Sequence, residues 1–514
     1  MKFRHLVGPA AAILVLILQI AHFSDAQTTP ATATGSRPHA RYRLVEVGTF
    51  GGPNSFCASH IRNDGAVVGA ANTSTPDPHA PICFDSSCFV QHAWIWRDGE
   101  LKDLGALPGG SSSYTNAINL QEVIVGHSEN GEIDPDTGIP KFIPAIWIND
   151  QIQEIGTLGG SFGTAFAVND QNFAAGIAQN AIVDTSGFAQ AFGFPGATEI
   201  HAFGWTDGVI FDLGSLGGPG AVAGAMSNTG YVAGMSPTSY IVGPFGLPPV
   251  APFLWHKGKM QNLGSFGGTF GVANAVNNWG RAVGTSNLKG DAVGHPFLWA
   301  QEKMRDLGTL GGSFASAELI NDAGEVAGFS YITGDETHHA FVWKRGVMTD
   351  LGTIDDDNFS RAFGMNEQGQ VVGQSWLFDG ENTTASHAFL WNAAESLIDL
   401  NTVLSNPSDL YLTEANFITD RGWIIANGFL PNGDFRAAIL IPESDDNDRG
   451  SDEGSALHDA TGTSLRTNIA LTPAMQAAVA ARLKRFPYGQ HRFDHQPFMR
   501  AVSPIYWNPM VKKF

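Results

Sequence analysis

The sequence predicts an all-β protein, a β-propeller of about eight four-stranded blades closed by its N-terminal strand, with a short helical tail. Three observations predict this fold. Short strand patterns recur at a nearly constant spacing, each repeat contains hairpin-turn residues, and the two chain ends supply complementary parts of one repeat. The 61 glycines and the 11% aromatic content also suit many short strands and tight turns.

The N-terminus has the pattern of an export signal. A basic start at Lys2 precedes an apolar run over about 7–20, and Ala26 offers a small residue for cleavage, so we expect a signal peptide at 1–26. The Thr-, Ala- and Pro-rich segment 27–40 is expected to be a flexible leader. Because no later apolar stretch is long enough for a membrane span, the sequence predicts a secreted or periplasmic protein.

Three markers recur across the predicted propeller, residues 41–442. In the sixth copy they are Asp-Leu-Gly-Thr-Leu-Gly-Gly from Asp306, Asn-Asp-Ala-Gly from Asn321, and His-Ala-Phe-Val-Trp from His339. Asn-Asp-x-Gly between alternating apolar residues predicts a hairpin. Strands are expected in this copy at about 316–320, 325–330, 339–343 and 347–352. Each repeat contains four short strands, and the spacing between successive repeats is in the mid-forties of residues or longer. Both features are typical of propeller blades.

The chain ends predict how the ring closes. The last repeat lacks its fourth strand, whereas the first patterned residues, from Leu44, form a fourth strand with nothing before it. Pairing the two would remove the exposed strand edges of both. The number of third strands predicts eight blades. The number would be seven if one degenerate repeat formed no blade of its own.

These repeats closely resemble the extracellular HAF-type repeat family, named for its His-Ala-Phe triplet, over about 44–441. The triplet stands at His387 and, with small changes, in most other copies. The second copy departs from it with Ile143-Pro-Ala, and the eighth, around Leu440, has lost His, Phe and Trp. The resemblance implies an exported bacterial repeat protein, and it lends no activity and no catalytic residues.

Charge and cysteine content restrict the partners and the compartment. A net charge of −20 disfavours nucleic acid and anionic membranes as partners. We expect a monomer with an unknown extracellular ligand. Cys83 and Cys88 share one loop of an exported chain and are expected to form a disulfide. Cys57 lies in a strand pattern and is expected to be a buried thiol.

The connection between the second and third strands is longest in the first four repeats. Loops on a rigid scaffold are where binding usually resides, although tolerated drift in length is an equal alternative. The polar residues of these segments that we single out as ligand-binding candidates are His79, Asp85, His127, Glu129 and Glu132.

Two acidic groups are candidates for calcium. Asp355, Asp356 and Asp357 replace the Gly-Gly of one crossover, and Asp134 and Asp136 lie in a long loop. Carboxylate oxygens are ligands that calcium prefers, but neither group has the full spacing of a calcium loop, so solvated turns are the favoured alternative. No other cofactor is expected.

The recurring histidines are expected to be structural. Equivalent positions in a propeller lie too far apart around the ring to share one metal ion, so each histidine is expected to satisfy a local backbone hydrogen bond. The recurring Gly-Thr-Leu-Gly-Gly segments are expected to be crossovers rather than phosphate-binding loops, because strands follow them instead of helices. The histidines are His92, His201, His295, His339 and His387.

No catalytic constellation with a recognised spacing is present: there is no Gly-x-Ser-x-Gly, His-Glu-x-x-His or Cys-x-x-Cys. The sequence therefore predicts an exported, non-enzymatic binding or interaction protein that holds a carbohydrate, peptide or protein on the long-loop face of its first four blades. The main rival is an extracellular propeller hydrolase or lyase acting on a polymer. A quinoprotein dehydrogenase is disfavoured, because those enzymes carry a different Trp-centred repeat.

The C-terminal region differs in composition from the repeats. Residues 443–455 form an acidic linker, and 456–514 hold eight Lys or Arg against two Asp, which gives 8 − 2 = +6. Thr472 as a cap and Pro473 in the first turn predict a helix near 472–486. The basic tail is expected either to be disordered around this helix or to dock on an acidic surface.

Overall fold

The computed structural model describes residues 41–443, apart from 81–82, 84–86, 192–193, 197, 244–245, 381–382 and 395, together with 472–475 and 477. The expected signal peptide, the leader, nearly all of the acidic linker and most of the basic tail lie outside these residues. Of the expected C-terminal helix, residues 473–475 and 477 are described, and they are helical. Thr472 caps this helical turn, since its Oγ1 accepts a hydrogen bond from the Met475 N–H at 3.2 Å.

The all-β prediction is confirmed, and repeated four-stranded antiparallel sheets of this kind are typical of propeller-type folds. The described residues contain 32 strands, one short helix α1 (Phe188–Ala191) and one 3-10 turn (Leu400–Thr402). We group the strands into eight units. Units five and six belong to one eight-stranded sheet, because a parallel bridge joins Gly294 to Phe314.

The strands of the first four units alternate in direction and follow chain order. Unit one contains β2 (Gly51–Ile61), β3 (Val67–Pro76), β4 (Phe89–Arg97) and β5 (Glu100–Gly105). Unit two contains β6 (Ser113–Ile118), β7 (Ile124–Ile133), β8 (Pro140–Ile148) and β9 (Gln151–Glu154). Unit three contains β10 (Gly159–Val168), β11 (Ala174–Val183), β12 (Thr198–Thr206) and β13 (Val209–Asp212). Unit four contains β14 (Val222–Met226), β15 (Val232–Pro237), β16 (Val250–His256) and β17 (Lys259–Asn262).

The remaining units repeat this order, and the last one borrows the first strand of the chain. Unit five contains β18 (Gly267–Val276), β19 (Ala282–Leu288), β20 (Gly294–Ala300) and β21 (Lys303–Asp306). Unit six contains β22 (Gly311–Ile320), β23 (Val326–Ile332), β24 (His338–Lys344) and β25 (Val347–Gly352). Unit seven contains β26 (Phe359–Met365), β27 (Val371–Phe378), β28 (Thr383–Trp391) and β29 (Ile398–Asp399). Unit eight contains β30 (Tyr411–Ile418), β31 (Ile424–Phe429), β32 (Phe435–Pro442) and β1 (Tyr42–Glu46).

The strands expected in the sixth repeat are all present in unit six. Its first strand begins about five residues earlier than expected, because the crossover glycine Gly311 already pairs with Ile332 of the second strand. The Asn-Asp-Ala-Gly sequence forms the expected hairpin turn, in which the Gly324 N–H donates to the Asn321 carbonyl at 3.0 Å.

The N-terminal strand β1 completes unit eight, as the chain ends predict. It pairs antiparallel with β32, and Leu44 lies opposite Leu440. Its outer edge is also bonded, because the Leu44 N–H donates to Asn406 Oδ1 at 2.7 Å and Asn406 Nδ2 donates to the Leu44 carbonyl at 3.0 Å. Both edges of β1 are therefore hydrogen-bonded, which prevents it from pairing with another chain.

Neighbouring units are joined by buried apolar side chains. Trp147 of unit two is fully buried with Ile95 and Leu104 of unit one, and its indole N–H donates to the Leu104 carbonyl at 3.1 Å. The last and first units share a cluster of the same kind, in which Ile439 packs with Trp94. Burying side chains of this size contributes about 1.5–3 kcal/mol each.

The hairpin turns between first and second strands are hydrogen-bonded from one unit to the next. The Asp170 N–H of unit three donates to Asn228 Oδ1 of unit four at 2.8 Å, and other junctions repeat the pattern. The same bond joins the last unit to the first, because the Asp420 N–H donates to Asn63 Oδ1 at 3.3 Å. We call the end of the units that carries these turns the turn end.

No helix in the described part of the chain has the length and apolar character needed to cross a membrane.

Candidate functional site

The second-to-third connections lie at the end of the units opposite the turn end, because successive strands of each unit are antiparallel. We call this the loop end. The connections of units one, three and four are long, and that of unit two is shorter because β7 and β8 extend into it. In chain order the connections span 77–88, 134–139, 184–197, 238–249, 289–293, 333–337, 379–382 and 430–434.

The long connections are held by specific contacts. Phe188 of α1 is fully buried and packs against Met235 of unit four and Phe270 of unit five. Asp184 caps α1, since its Oδ2 accepts a hydrogen bond from the Ala189 N–H at 2.7 Å. The connection of unit four is closed at its base by a bond from the Thr238 N–H to the Pro249 carbonyl at 2.9 Å. The described parts of these connections are therefore fixed to the strands by specific contacts.

Large apolar side chains are exposed at the loop end of units two to four. Ile241 is 75% exposed and Tyr240 is 54% exposed. Elsewhere in the described residues, large exposed apolar side chains lie singly near tight turns, at Leu120, Val209, Trp279 and Val347. Contiguous exposed apolar residues mark binding surfaces more often than isolated ones do. The loop-end group, which we call the apolar rim, is Ile133, Ile182, Val183, Tyr240, Ile241 and Val242.

A cluster of one histidine and two carboxylates lies beside the apolar rim, in which Glu199 is buried and the side chain of Asp212 is 43% exposed. His201 Nδ1 lies 2.8 Å from Asp212 Oδ2, and His201 Nε2 lies 3.4 Å from Glu199 Oε2. Glu199 is only 1% exposed, its Oε2 accepts a hydrogen bond from Asn180 Nδ2 at 3.2 Å, and its Oε1 has no hydrogen-bond partner. Burial opposes the charge of the imidazole, yet Asp212 and Glu199 together raise the pKa of His201 above its usual value.

Tyr240 connects the apolar rim to this cluster. It belongs to unit four, whereas Glu199 and Asp184 belong to unit three. Desolvation, the charge and hydrogen bonding of Glu199, and the charge of Asp184 all raise the pKa of Tyr240. An exposed tyrosine from one unit thus reaches the buried carboxylate of the next.

The sequence-predicted ligand residues are only partly brought together. Glu129 is buried, and its Oε2 accepts hydrogen bonds from the Ser112 and Ser111 N–H groups at 3.0 and 3.2 Å, which fixes the crossover into unit two. Burial and the charge of Asp77 raise the pKa of Glu129, while His79 lies close enough to lower it. Glu129 and His79 are therefore neighbours, and Glu129 stabilises the backbone.

Of the other three predicted ligand residues, the two that the structure describes do not join that pair. His127 lies between units two and three, stacked on Tyr114, with Nδ1 2.9 Å from Thr164 Oγ1. Burial lowers the pKa of His127 to about 4, so its imidazole is neutral near pH 7. Glu132 is exposed and pairs with Lys141 at 2.9 Å. Asp85 lies outside the described residues.

Two of the calcium candidates, Asp134 and Asp357, have their carboxylate oxygens bonded to protein groups. Asp134 Oδ1 accepts bonds from the Thr137 N–H and hydroxyl, and its Oδ2 accepts one from the Ser161 hydroxyl at 2.6 Å. Asp357 Oδ2 lies 2.8 Å from His387 Nδ1. Among the residues that the structure describes, no three His, Cys, Asp or Glu side chains are grouped as a metal site requires. Asp136, Asp355 and Asp356 accordingly belong to no such group.

The recurring histidines bond to carboxylates, which corrects the expectation of a backbone partner. His92, His295 and His339 place Nδ1 2.8–2.9 Å from an aspartate eleven residues later, and that aspartate also accepts the N–H of a crossover glycine. His201 pairs with Asp212 at the same spacing, whereas His387 pairs with Asp357, which lies 30 residues earlier in the preceding crossover. The pairs recur in five units, which identifies them as structural ties between third strands and crossovers. Only His201 among them has a second carboxylate within 4 Å in the described residues.

The cysteines are arranged on the loop end and in the core. Cys83 and Cys88 form a disulfide within the connection of unit one. Cys57 is a buried free thiol, and burial raises its pKa, which makes it unreactive.

No protein-family model and no curated protein matches the chain. Among solved structures, it is similar to an acylaminoacyl peptidase of Pyrococcus horikoshii, at 10% identity and a TM-score of 0.36 over 73% of this chain and 57% of that one. It is also similar to dipeptidyl peptidase 4 of Porphyromonas gingivalis, at 8% identity and a TM-score of 0.41 over 78% of this chain and 58% of that one. A third similar structure is TolB of Acinetobacter baumannii, at 12% identity and a TM-score of 0.30 over 73% of this chain and 79% of that one. The chain thus spans under three fifths of the two peptidases, and likeness at this level assigns it no activity.

Proposed function

We propose that the chain is an exported binding protein, a closed eight-bladed propeller of the HAF type, which holds an extracellular ligand at the loop end of its first four units. The observation that carries the proposal is the apolar rim beside the buried Glu199 cluster. A rigid scaffold with ordered loops and grouped apolar side chains is the usual form of a binding surface.

Closure of the ring is supported by contacts between the last and first units. The Asp420 N–H bonds to Asn63, and Ile439 packs with Trp94, just as equivalent residues do between consecutive units. Export is supported by the disulfide Cys83–Cys88, because such bonds persist in oxidising compartments.

A ligand screen tests the binding function. The mature chain is applied to arrays of glycans and short peptides, in parallel with a rim variant, Ile241→Ser with Val242→Ser. A turn-end variant, Trp279→Ser, is the matched control, since Trp279 is 70% exposed. We expect hits that the rim variant weakens at least tenfold and that the control retains. Hits lost in Trp279→Ser but kept in the rim variant would overturn the proposal.

The same preparations test the competing enzyme function. A hydrolase or lyase acting on polymers would release reducing ends or unsaturated products from polysaccharides, or new termini from proteins. The binding proposal predicts that none accumulates above the level given by His201→Gln. Accumulation that this variant abolishes would replace binding with catalysis as the function.

A further inference from the structure

The charge distribution around the apolar rim is one-sided. Between Lys141 and Lys257 the sequence contains no lysine or arginine, and this stretch includes all of unit three and the first three strands of unit four. It holds seven acidic residues, of which Asp150, Asp170 and Asp207 lie at the turn end and Glu154, Asp184, Glu199 and Asp212 lie at the loop end. A surface whose carboxylates outnumber its fixed cations attracts a positively charged ligand and repels a negative one.

The Glu199 cluster has more carboxylates than cationic groups. Glu199 and Asp212 share a single imidazole, that of His201, so two carboxylates face at most one cation. Even with His201 protonated and both carboxylates ionised, the group carries one excess negative charge. An incompletely paired buried charge is costly, and a bound cation would reduce that cost.

Glu199 Oε1 is the specific atom that lacks a partner. Its neighbour Oε2 already accepts from Asn180 and faces His201, whereas Oε1 is fully buried and accepts nothing. Buried polar atoms without partners are rare in folded proteins, and such atoms often mark the place of a missing ligand. Tyr240 is 54% exposed and is hydrogen-bonded to Glu199 from the loop of the neighbouring unit.

We propose that Glu199 and Tyr240 form a pocket for the cationic side chain of a peptide, an arginine or lysine flanked by apolar residues. The cation donates to the free Glu199 Oε1 and replaces the hydrogen bond of the Tyr240 hydroxyl to the same carboxylate. The flanking apolar residues lie on Ile182, Val183 and Ile241. This site deepens the proposed binding function and rests on it, because it names the ligand chemistry of the same loop end.

The test compares two peptides that differ in charge but hardly in shape. Fluorescein-labelled Val-Arg-Val amide and its citrulline counterpart are titrated with the mature chain, and binding is followed by fluorescence anisotropy. We expect the arginine peptide to bind at least tenfold more tightly than the citrulline peptide. Glu199→Gln should reduce this preference to less than threefold, with the melting temperature measured to establish that the variant is folded.

A matched control separates local recognition from net charge. Asp306→Asn removes one carboxylate from the equivalent His–Asp pair of unit five and changes the net charge equally. It should keep the tenfold preference. Tyr240→Phe, an exposed change that leaves the core untouched, should tighten arginine-peptide binding at least twofold because the competing hydroxyl is gone.

Three results would overturn the cation site. They are equal binding of both peptides, retention of the preference in Glu199→Gln, or no binding of either peptide at millimolar concentration. The proposed binding function is judged separately by the array screen. Array hits that depend on the rim, found together with any of these three results, would leave the binding function standing and refute the cation site alone.

Discussion

Leu44 lies in the middle of β1 and is 6% exposed, packed with the core of unit eight opposite Leu440. Replacing it with alanine removes three buried carbons and leaves a cavity under the N-terminal strand. Buried Leu→Ala changes cost about 2–5 kcal/mol. We expect a loss of about 2–3 kcal/mol, in the lower half of that range, because β1 is the outermost strand of its unit.

Urea unfolding of the mature chain, followed by tryptophan fluorescence, measures this loss. Arg43→Ala is the matched control, since Arg43 is the adjacent residue of the same strand and its side chain is exposed. The control should change the unfolding free energy by less than about 0.5 kcal/mol. If Leu44→Ala and Arg43→Ala had the same midpoint, β1 would not be part of the folded core, and the reasoning on ring closure would fail.

Three further predictions concern single contacts, each measured by urea unfolding. Asn63→Ala removes the acceptor of the Asp420 N–H and should cost about 1 kcal/mol; an unchanged midpoint would contradict the bond between last and first units. Burial lowers the pKa of His127 to about 4 in the folded protein. The unfolding free energy should therefore fall by about 3 kcal/mol as the pH drops from 6.5 to 4, because the unfolded chain binds a proton there that the folded chain does not. The His127→Phe variant should lose less unfolding free energy over this range, and an equal loss would refute the prediction. The pKa of His201 is raised in the folded protein, so its ion pairs should stabilise the fold fully below pH 6.5 and lose this effect as the pH rises through the folded pKa. An Asp212→Asn variant whose unfolding free energy has the wild-type dependence on pH would refute that.

Most of the fold follows from local sequence rules. Alternating apolar residues and Asn-Asp-x-Gly turns specify hairpins within about fifteen residues, so unit six is recognisable from Gly311 to Gly352. The pairing of β1 with β32 is predictable for a different reason, because the strand that the last repeat lacks and the surplus strand at the N-terminus are complementary. Strand starts were misplaced where the crossover already pairs, as at Gly311, since glycine carries no strand preference.

The partners of the recurring histidines were missed, although the sequence contains the signal. A histidine and an aspartate eleven residues apart recur in several repeats, for instance at His295 and Asp306. On adjacent antiparallel strands joined by a tight turn, this spacing brings the side chains together at the strand ends. A fixed spacing across repeats is therefore a usable indicator of side-chain pairs.

The candidate site had no such signal. Glu199 and Tyr240 occur once each, in connections and strand ends of different units, and no repeat predicts their contact. The long loops of the first four repeats, which the sequence indicates as the binding region, do include the segments around both residues. Which side chains meet there depends on how two irregular loops pack, and single-sequence patterns do not encode that.

Hydrogen–deuterium exchange of the mature chain, with and without the Val-Arg-Val peptide, tests the central claim most directly. A loop-end site predicts slower exchange of backbone amides in 180–191 and 238–249 on binding. Amides of the turn end, such as those of 119–122 and 277–280, should be unaffected. Protection confined to the turn end, or no protection of either loop segment at a saturating peptide concentration, would contradict the claim that the chain binds its ligand at the loop end.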